Sequence, residues 1–252
     1  MFIETVAAGL CSSLFTVAAL LFGASNAQAQ DWSLLDAVLA DHVAPTTREG
    51  LAYQGVDYAG LAADPRYPEL LAQLESFPLA SLENQQQRLA FYINAYNVYA
   101  IKMVLDHYPL NSIRDAGSLF SSVWKKPVGL LGGQPVTLDQ IEHEILRPMG
   151  EPRIHFAIVC ASLSCPNLRP QAYRAQMLEA QLQEQTRAFL KDEGKGLRVE
   201  GQLLRVSQIF DWFKEDFAAA GGVEAFIRQY HPLPARLLLR ANLPYDWRLN
   251  RQ

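Results

Sequence analysis

The chain is poor in cysteine. It has three in 252 residues: Cys11 in the N-terminal apolar stretch, and Cys160 and Cys165 together in CASLSC. That is too few for a disulfide framework, and a chain this long buries enough surface to hold a core without one. It has no GxGxxG, phosphate loop, GxSxG elbow, CxxC pair or HExxH. Those absences disfavour nucleotide cofactors, serine α/β-hydrolases, thioredoxin-like exchange and a zinc motif with histidines four apart, so no cofactor and no metal is expected. Past residue 22 no apolar run is long enough to cross a bilayer. No block of like charges is present, and the net charge is only −4. A small negative balance argues against nucleic acid, which recruits a basic face, and against a membrane-surface patch.

What is present begins with a leader. Residues 6–22, VAAGLCSSLFTVAALLF, carry no charge, and Ala27-Gln28-Ala29 fits the small-x-small rule of signal peptidase. Cleavage after Ala29 is expected, leaving a mature domain over residues 30–252 that is periplasmic or secreted. The region before the apolar stretch departs from the usual pattern in having no Lys or Arg, and an uncleaved anchor helix is the alternative, since 17 residues is at the short limit for a span. Losing residues 1–29 removes one acid, Glu4, and no base, which leaves −3.

The mature part has ordinary globular composition, half hydrophobic and 19% charged. Helical spacing predicts a helix over 31–43, with Asp31 as its cap, and another over 68–76. YQGVDYAGLAADP is expected to run extended and then turn into Pro65. Residues 85–107 are apolar nearly all round, the pattern of a buried helix. Residues 128–137 predict a hairpin turning at Gly132-Gly133, after which Thr137 caps a helix over LDQIEHEIL. RIHFAIVC, residues 153–160, reads as a central strand, with Ile154, Phe156 and Ile158 on one face and His155, Ala157 and Val159 on the other. A helix over 171–191, a hairpin turning at Glu200-Gly201, an aromatic helix over QIFDWFKEDF and a helix over about 222–231 complete the chain. Helices outnumber strands, and the strands come partly in hairpins. The expected class is therefore α+β: one helix-rich domain around a small mixed or antiparallel sheet, with a buried central helix.

Six segments in order carry a resemblance: VDYAGL, FYINAYNVYAI, TLDQIEHEILR, PRIHFAIVCASLSCPNLR, SQIFDWFKEDF and PYDWRLN. Together they resemble the domain of unknown function 547 family, of the type found in bacterial exported proteins, over about residues 53–250. The family's name records that its activity is unassigned, so the resemblance implies no chemistry.

Chemistry must come from the residues. His155 runs directly into the cysteine loop. A thiol hydrolase needs a cysteine that can pass its proton to a histidine, and a third group to orient the ring. On a strand, His155 and Cys160 fall on opposite faces, so Cys165, in the loop, is the better placed nucleophile. Orienting groups could be Asn94, Glu142 or Asp211. The bland readings are a Cys160–Cys165 bridge, a hydrogen-bonded core histidine, and a structural amide network for Asn94 and Asn97, which share a helix side. Glu142 has Arg153 as a plausible partner, or else lies on a solvated face beside His143 and Glu144. Arg169, with Tyr173, follows the cysteine loop and could hold a carboxylate or phosphate by its fork. Trp212, Phe213 and Phe217 read most simply as core, with Asp216 between the last two.

Two functions are carried forward. One is a thiol-type hydrolase or acyl-transferase on an envelope peptide or amide. The other is a non-catalytic, disulfide-stapled binding or scaffold module. Either would take a small-molecule or peptide ligand, and the sequence leaves the oligomeric state open. The bridged reading leads, so chain recovered from an oxidising compartment and alkylated without reductant should take up no alkyl group. Two groups added, read by intact mass, would show both thiols free.

Overall fold

The computed structural model describes Met1, residues 31–118 and residues 122–252. The expected leader, its cleavage site and Cys11 lie outside the described residues.

The chain centres on helix α4, Gln85–Leu105. Its start is set locally. The Asn84 side chain accepts from the Gln87 amide, and the Gln87 side chain accepts from the Asn84 amide, a reciprocal cap. Fifteen of its residues, from Leu89 to Val104, are buried, which is why its apolar residues run round the whole helix. Around it pack α1 (Ser33–His42), α2 (Tyr58–Ala63) and α3 (Arg66–Glu75). The α1 helix begins two residues later than its sequence pattern suggests, although the Asp31 carboxylate does accept from the Ser33 amide. The DYAGLA stretch is helical, because Asp57 caps it by accepting from the Gly60 amide.

The strands are dealt among three small sheets. β1 (Val43–Arg48) and β2 (Leu51–Val56) form one antiparallel pair. β3 (Pro127–Leu131) and β4 (Gln134–Thr137) form the expected hairpin, with Gly132 and Gly133 both at positive φ in its turn. Gly129 lies so close to Tyr99 that a Cβ there would stand 2.6 Å from the ring. β5 (Leu197–Glu200) and β6 (Leu203–Val206) are antiparallel, and β6 pairs in parallel with β7 (Leu238–Ala241). The class is α+β, with the buried helix at its centre. The later helices are α5 (Leu178–Lys191), α6 (Ile209–Trp212) and α7 (Val223–Tyr230), and a tight 3₁₀ run over Lys214–Ala220 continues α6. Thr137 caps as expected, by accepting from the Gln140 amide, but Gln140–Leu146 winds as a wide π-turn rather than an α-helix.

The central strand expected over 153–160 is not there. Pro152–Phe156 is a 3₁₀ turn, and the amides of Ala157 and Ile158 both donate to the Ile154 carbonyl. The bonds a sheet would have supplied come from one side chain on α4. Asn97 Nδ2 donates to the Ala157 carbonyl at 3.0 Å, and its Oδ1 accepts from the Val159 amide at 2.8 Å. Nearly every buried backbone group finds a partner, and here an amide provides both. Three residues on α4 before it, Asn94 clamps Tyr173 in the same way, accepting from its amide and donating to its carbonyl, each at 2.8 Å.

The turn is also a seam. Ile154 and Ala157 belong to the large core around α4, while Phe156 belongs to a second core built from Phe189, Phe210, Phe217 and Phe226. His155 sits at their junction. Asn97→Ala would leave two buried backbone groups without partners, at a cost of about 2–4 kcal/mol in urea unfolding. A change well under 1 kcal/mol would mean that other groups hold this turn.

Candidate active site

The seam opens into a cavity of about 410 Å³. One wall comes from α4 (Tyr96), from Asp139 just before the π-turn, and from the π-turn itself (Glu142, His143). A second comes from the seam turn and cysteine loop (His155, Ile158, Cys160, Cys165), and the mouth carries Trp124, Trp212, Tyr245 and Trp247. A concave, mostly apolar site with a few convergent polar groups is the usual form of a small-molecule site.

His155 is buried, and its ring stacks on Phe213 with centroids 4.0 Å apart. Its Nε2 lies 2.7 Å from Asp216 Oδ2. Arg147 takes the same carboxylate by its fork, Nε to Oδ2 and Nη2 to Oδ1, each at 2.7 Å. Burial alone would raise the Asp216 pKa, but the hydrogen bonds from His155 and Arg147 hold it well below the usual carboxylate range. Burial lowers the His155 pKa, against the pull of Asp216. The imidazole is therefore neutral at pH 7. With an ionised acceptor on Nε2, its proton sits there, and Nδ1 carries the lone pair. The Arg147 Nη1 donates to His143 Nδ1 at 2.8 Å, which fixes the second histidine's tautomer as well.

Glu142 is the other titratable group of interest. Burial at the cavity wall pushes its pKa up to about 7, while the Tyr96 hydroxyl, donating at 3.3 Å, and the Arg147 charge pull it down. Near neutrality it exchanges a proton. Two groups poised this way in one cleft are the mark of a functional site.

The cysteines form the third feature. Cys160 and Cys165 lie at disulfide distance, with Cα atoms 6.2 Å apart. The Tyr245 hydroxyl stands 3.3 Å from each sulfur. Their loop is pinned by the C-terminal chain: the amides of Leu163 and Ser164 donate to the carbonyls of Arg248 and Asp246, and the Asn250 amide to that of Ala161. Ala161, between the two sulfurs, has φ +58°, a conformation that costs a non-glycine residue energy and is found at functional loops.

His155, Glu142, Cys160 and Cys165 thus meet in one cavity. Asn94, Asn97, Arg153, Arg169 and Asp211 do not line it. Both asparagines are spent on backbone. Arg153 does not pair with Glu142; it bonds Glu151 and Glu179, which are nearer along its own turn and on α5. Arg169 does use its charge on a carboxylate, but that of Glu184, 2.5 Å away, while lying over the Tyr173 ring. Asp211 is exposed, and Asp216 is the acid that holds the imidazole. The signal was in the helical wheel. Asp216 borders the apolar stripe of Ile209, Phe210, Phe213 and Phe217, and Asp211 lies on the opposite side. Trp212 is not core either. It is 43% exposed and stacks on Trp247 at the mouth, because it lies off the stripe of Ile209, Phe210, Phe213 and Phe217 that faces the core. Tyr245 and Trp247, in PYDWRLN, carried no local signal. Among the described residues no group of three His, Cys, Asp or Glu side chains is placed to hold a metal ion, and no helix is long and apolar enough to cross a membrane.

Comparison with known proteins bears on this site directly. Residues 79–190 match the family model described as "Protein of unknown function, DUF547". The match takes in α4, the π-turn, the seam and the cysteine loop, so Glu142, His155, Cys160 and Cys165 lie inside it, while Asp216 and Tyr245 lie beyond it. Neither the curated proteins nor the solved structures contain a match to the chain.

A carboxyl whose pKa is higher folded than unfolded binds extra protons when folded, so stability falls as pH rises between the two values. For Glu142 that window runs from its ordinary 4.5 to about 7. Between pH 4.5 and 8 the wild type should lose about 2 kcal/mol more than Glu142→Gln, allowing for water in the cavity. Parallel urea midpoints for the two proteins would refute a raised Glu142.

Proposed function

We propose that the cavity is an acid–base catalytic centre, and that the chain is an exported hydrolase or acyl-transferase. The carrying observation is that His155, neutral and held by Asp216, and Glu142, protonated near neutrality, face the same cavity. His155 Nδ1 would take the proton from an attacking nucleophile. Glu142 would deliver one to the departing group. Separate environments that push two titratable groups to opposite tasks are how enzymes divide acid from base.

The nucleophile depends on the cysteines. While Cys160 and Cys165 are joined, neither sulfur can attack, and His155 activates a water. The thiol-type form of the reaction belongs to the reduced chain, in which a cysteine sulfur shares the cavity with His155. The apolar walls and the aromatic mouth favour a substrate with an apolar or aromatic body, such as a peptide side chain next to an ester or amide. Export to the periplasm or the medium fits a bridged cysteine pair.

The aromatic mouth equally suits a binding module that turns nothing over. Chromogenic aryl esters and anilides separate the two. The reactive form has His155 unprotonated and Glu142 protonated, so kcat/KM should rise above the lowered His155 pKa and fall again near pH 7. Glu142→Gln should lose the alkaline limb, and His155→Asn should cost at least about 100-fold. Binding of these probes without turnover at any pH would assign the cavity to recognition alone.

A further inference from the structure

The cavity wall carries a group that acid–base chemistry leaves idle. The Cys160–Cys165 pair faces the same space as His155 and Glu142. We propose that this bridge is a thiol–disulfide exchange site. A low-molecular-weight thiol enters through the aromatic mouth and reduces the pair while the protein stays folded.

Three observations carry this. The first is access. Both cysteines line the cavity, but Cys160 is half-buried whereas Cys165 is only 3% exposed, so an entering thiolate meets Cys160 Sγ first. The second is hydrogen bonding at the departing sulfur. Cys165 Sγ accepts from the Cys160 amide at 3.0 Å, a bond Cys160 Sγ lacks, and the Tyr245 hydroxyl, 3.3 Å from both sulfurs, is free to turn to the one that leaves. Both donors stabilise a thiolate there. Ser162 Oγ stands 3.2 Å from Cys160 Sγ and serves that sulfur in the second step. The third is independence from the fold. The loop between the cysteines is already fastened by the Leu163 and Ser164 amides donating to the C-terminal chain, by the Ala161 carbonyl accepting from the Asn250 amide, and by the Ser164 hydroxyl accepting from the Asp246 amide. Opening the bridge removes none of these, so the staple is not what keeps the loop in place.

The step balances as ordinary exchange. A thiolate, RS⁻, attacks Cys160 Sγ. The Cys160–Cys165 bond breaks, a Cys160–S–S–R bond forms, and the electron pair leaves on Cys165, which takes up a proton. A second RS⁻ attacks the R sulfur of that mixed disulfide, giving RSSR and the Cys160 thiolate. Two electrons pass from two thiols to the bridge. The product has two free sulfurs in the cavity beside His155. The exchange itself does not depend on the acid–base reading, since the oxidised chain's aryl-ester turnover is a separate measurement.

The test uses the full oxidised chain and 2-mercaptoethanol over a range of concentrations without denaturant. Near-ultraviolet circular dichroism follows the fold, and acid quenching with intact mass and peptide mapping follows the sulfurs. The expected result is reduction at a rate proportional to thiol, an adduct that maps to Cys160, and an unchanged fold signal. A rate that ignores thiol concentration and climbs with sub-denaturing urea would show that the bridge opens only by unfolding, and would overturn the proposal, as would an adduct on Cys165. Tyr245→Phe should slow the thiol-dependent rate about fivefold by removing one donor to the leaving sulfur. An unchanged rate would remove that hydroxyl from the step, and if the variant does not fold, the wild-type rate law decides alone.

Discussion

One side chain makes the rest of this architecture possible. Asn97 sits inside a helix that is buried on every side, and its amide nitrogen and oxygen both bond backbone, that of Ala157 and Val159. Without a sheet at the molecule's centre, a chain crossing between two hydrophobic clusters has no ladder to satisfy it. The amide stands in for the missing strand. It lets Pro152–Phe156 coil tightly, puts Phe156 into one core and Ile154 into the other, and leaves His155 at the junction. A polar residue inside an apolar core is tolerable when it is hydrogen-bonded, and here the amide nitrogen donates and the amide oxygen accepts.

From that junction follows the chemistry. The carboxylate that orients His155 comes from sixty-one residues away, and the guanidinium that keeps that carboxylate ionised comes from the end of the π-turn. The same turn presents Glu142 to the cavity, where the apolar surroundings that raise its pKa also lower that of His155. Burial penalises charge of either sign, so one environment moves an acid up and a base down. The C-terminal PYDWRLN segment closes the design. It pins the cysteine loop through its backbone and supplies Tyr245 and Trp247 to the mouth.

The sequence was legible where local rules decide. The buried helix, the Gly132-Gly133 hairpin and the Thr137 cap all appear as read, because capping, turn geometry and an apolar surface on every side of a helix act over a few residues. The family resemblance was legible too, from six segments in order, of which the family model covers those within residues 79–190. RIHFAIVC was misread because alternation of apolar residues looks the same whether a sheet or an asparagine satisfies the backbone. Asp216 was passed over for Asp211 although the apolar stripe already favoured it. Tyr245 could not be found at all, since nothing in its neighbours says which loop it will touch.

What the sequence by itself determined is the class of the fold, its central helix and the residue types available for chemistry. Those depend on composition and on short-range periodicity. What only the tertiary structure decided is which of those residues meet. Glu142, Asp216 and the stretch that carries His155 and the cysteine pair are three separate segments, and the pKa shifts of His155, Asp216 and Glu142 arise from burial and from charges brought near by folding. Proximity of that kind depends on how the cores pack, and packing is a property of the whole chain rather than of any stretch of it.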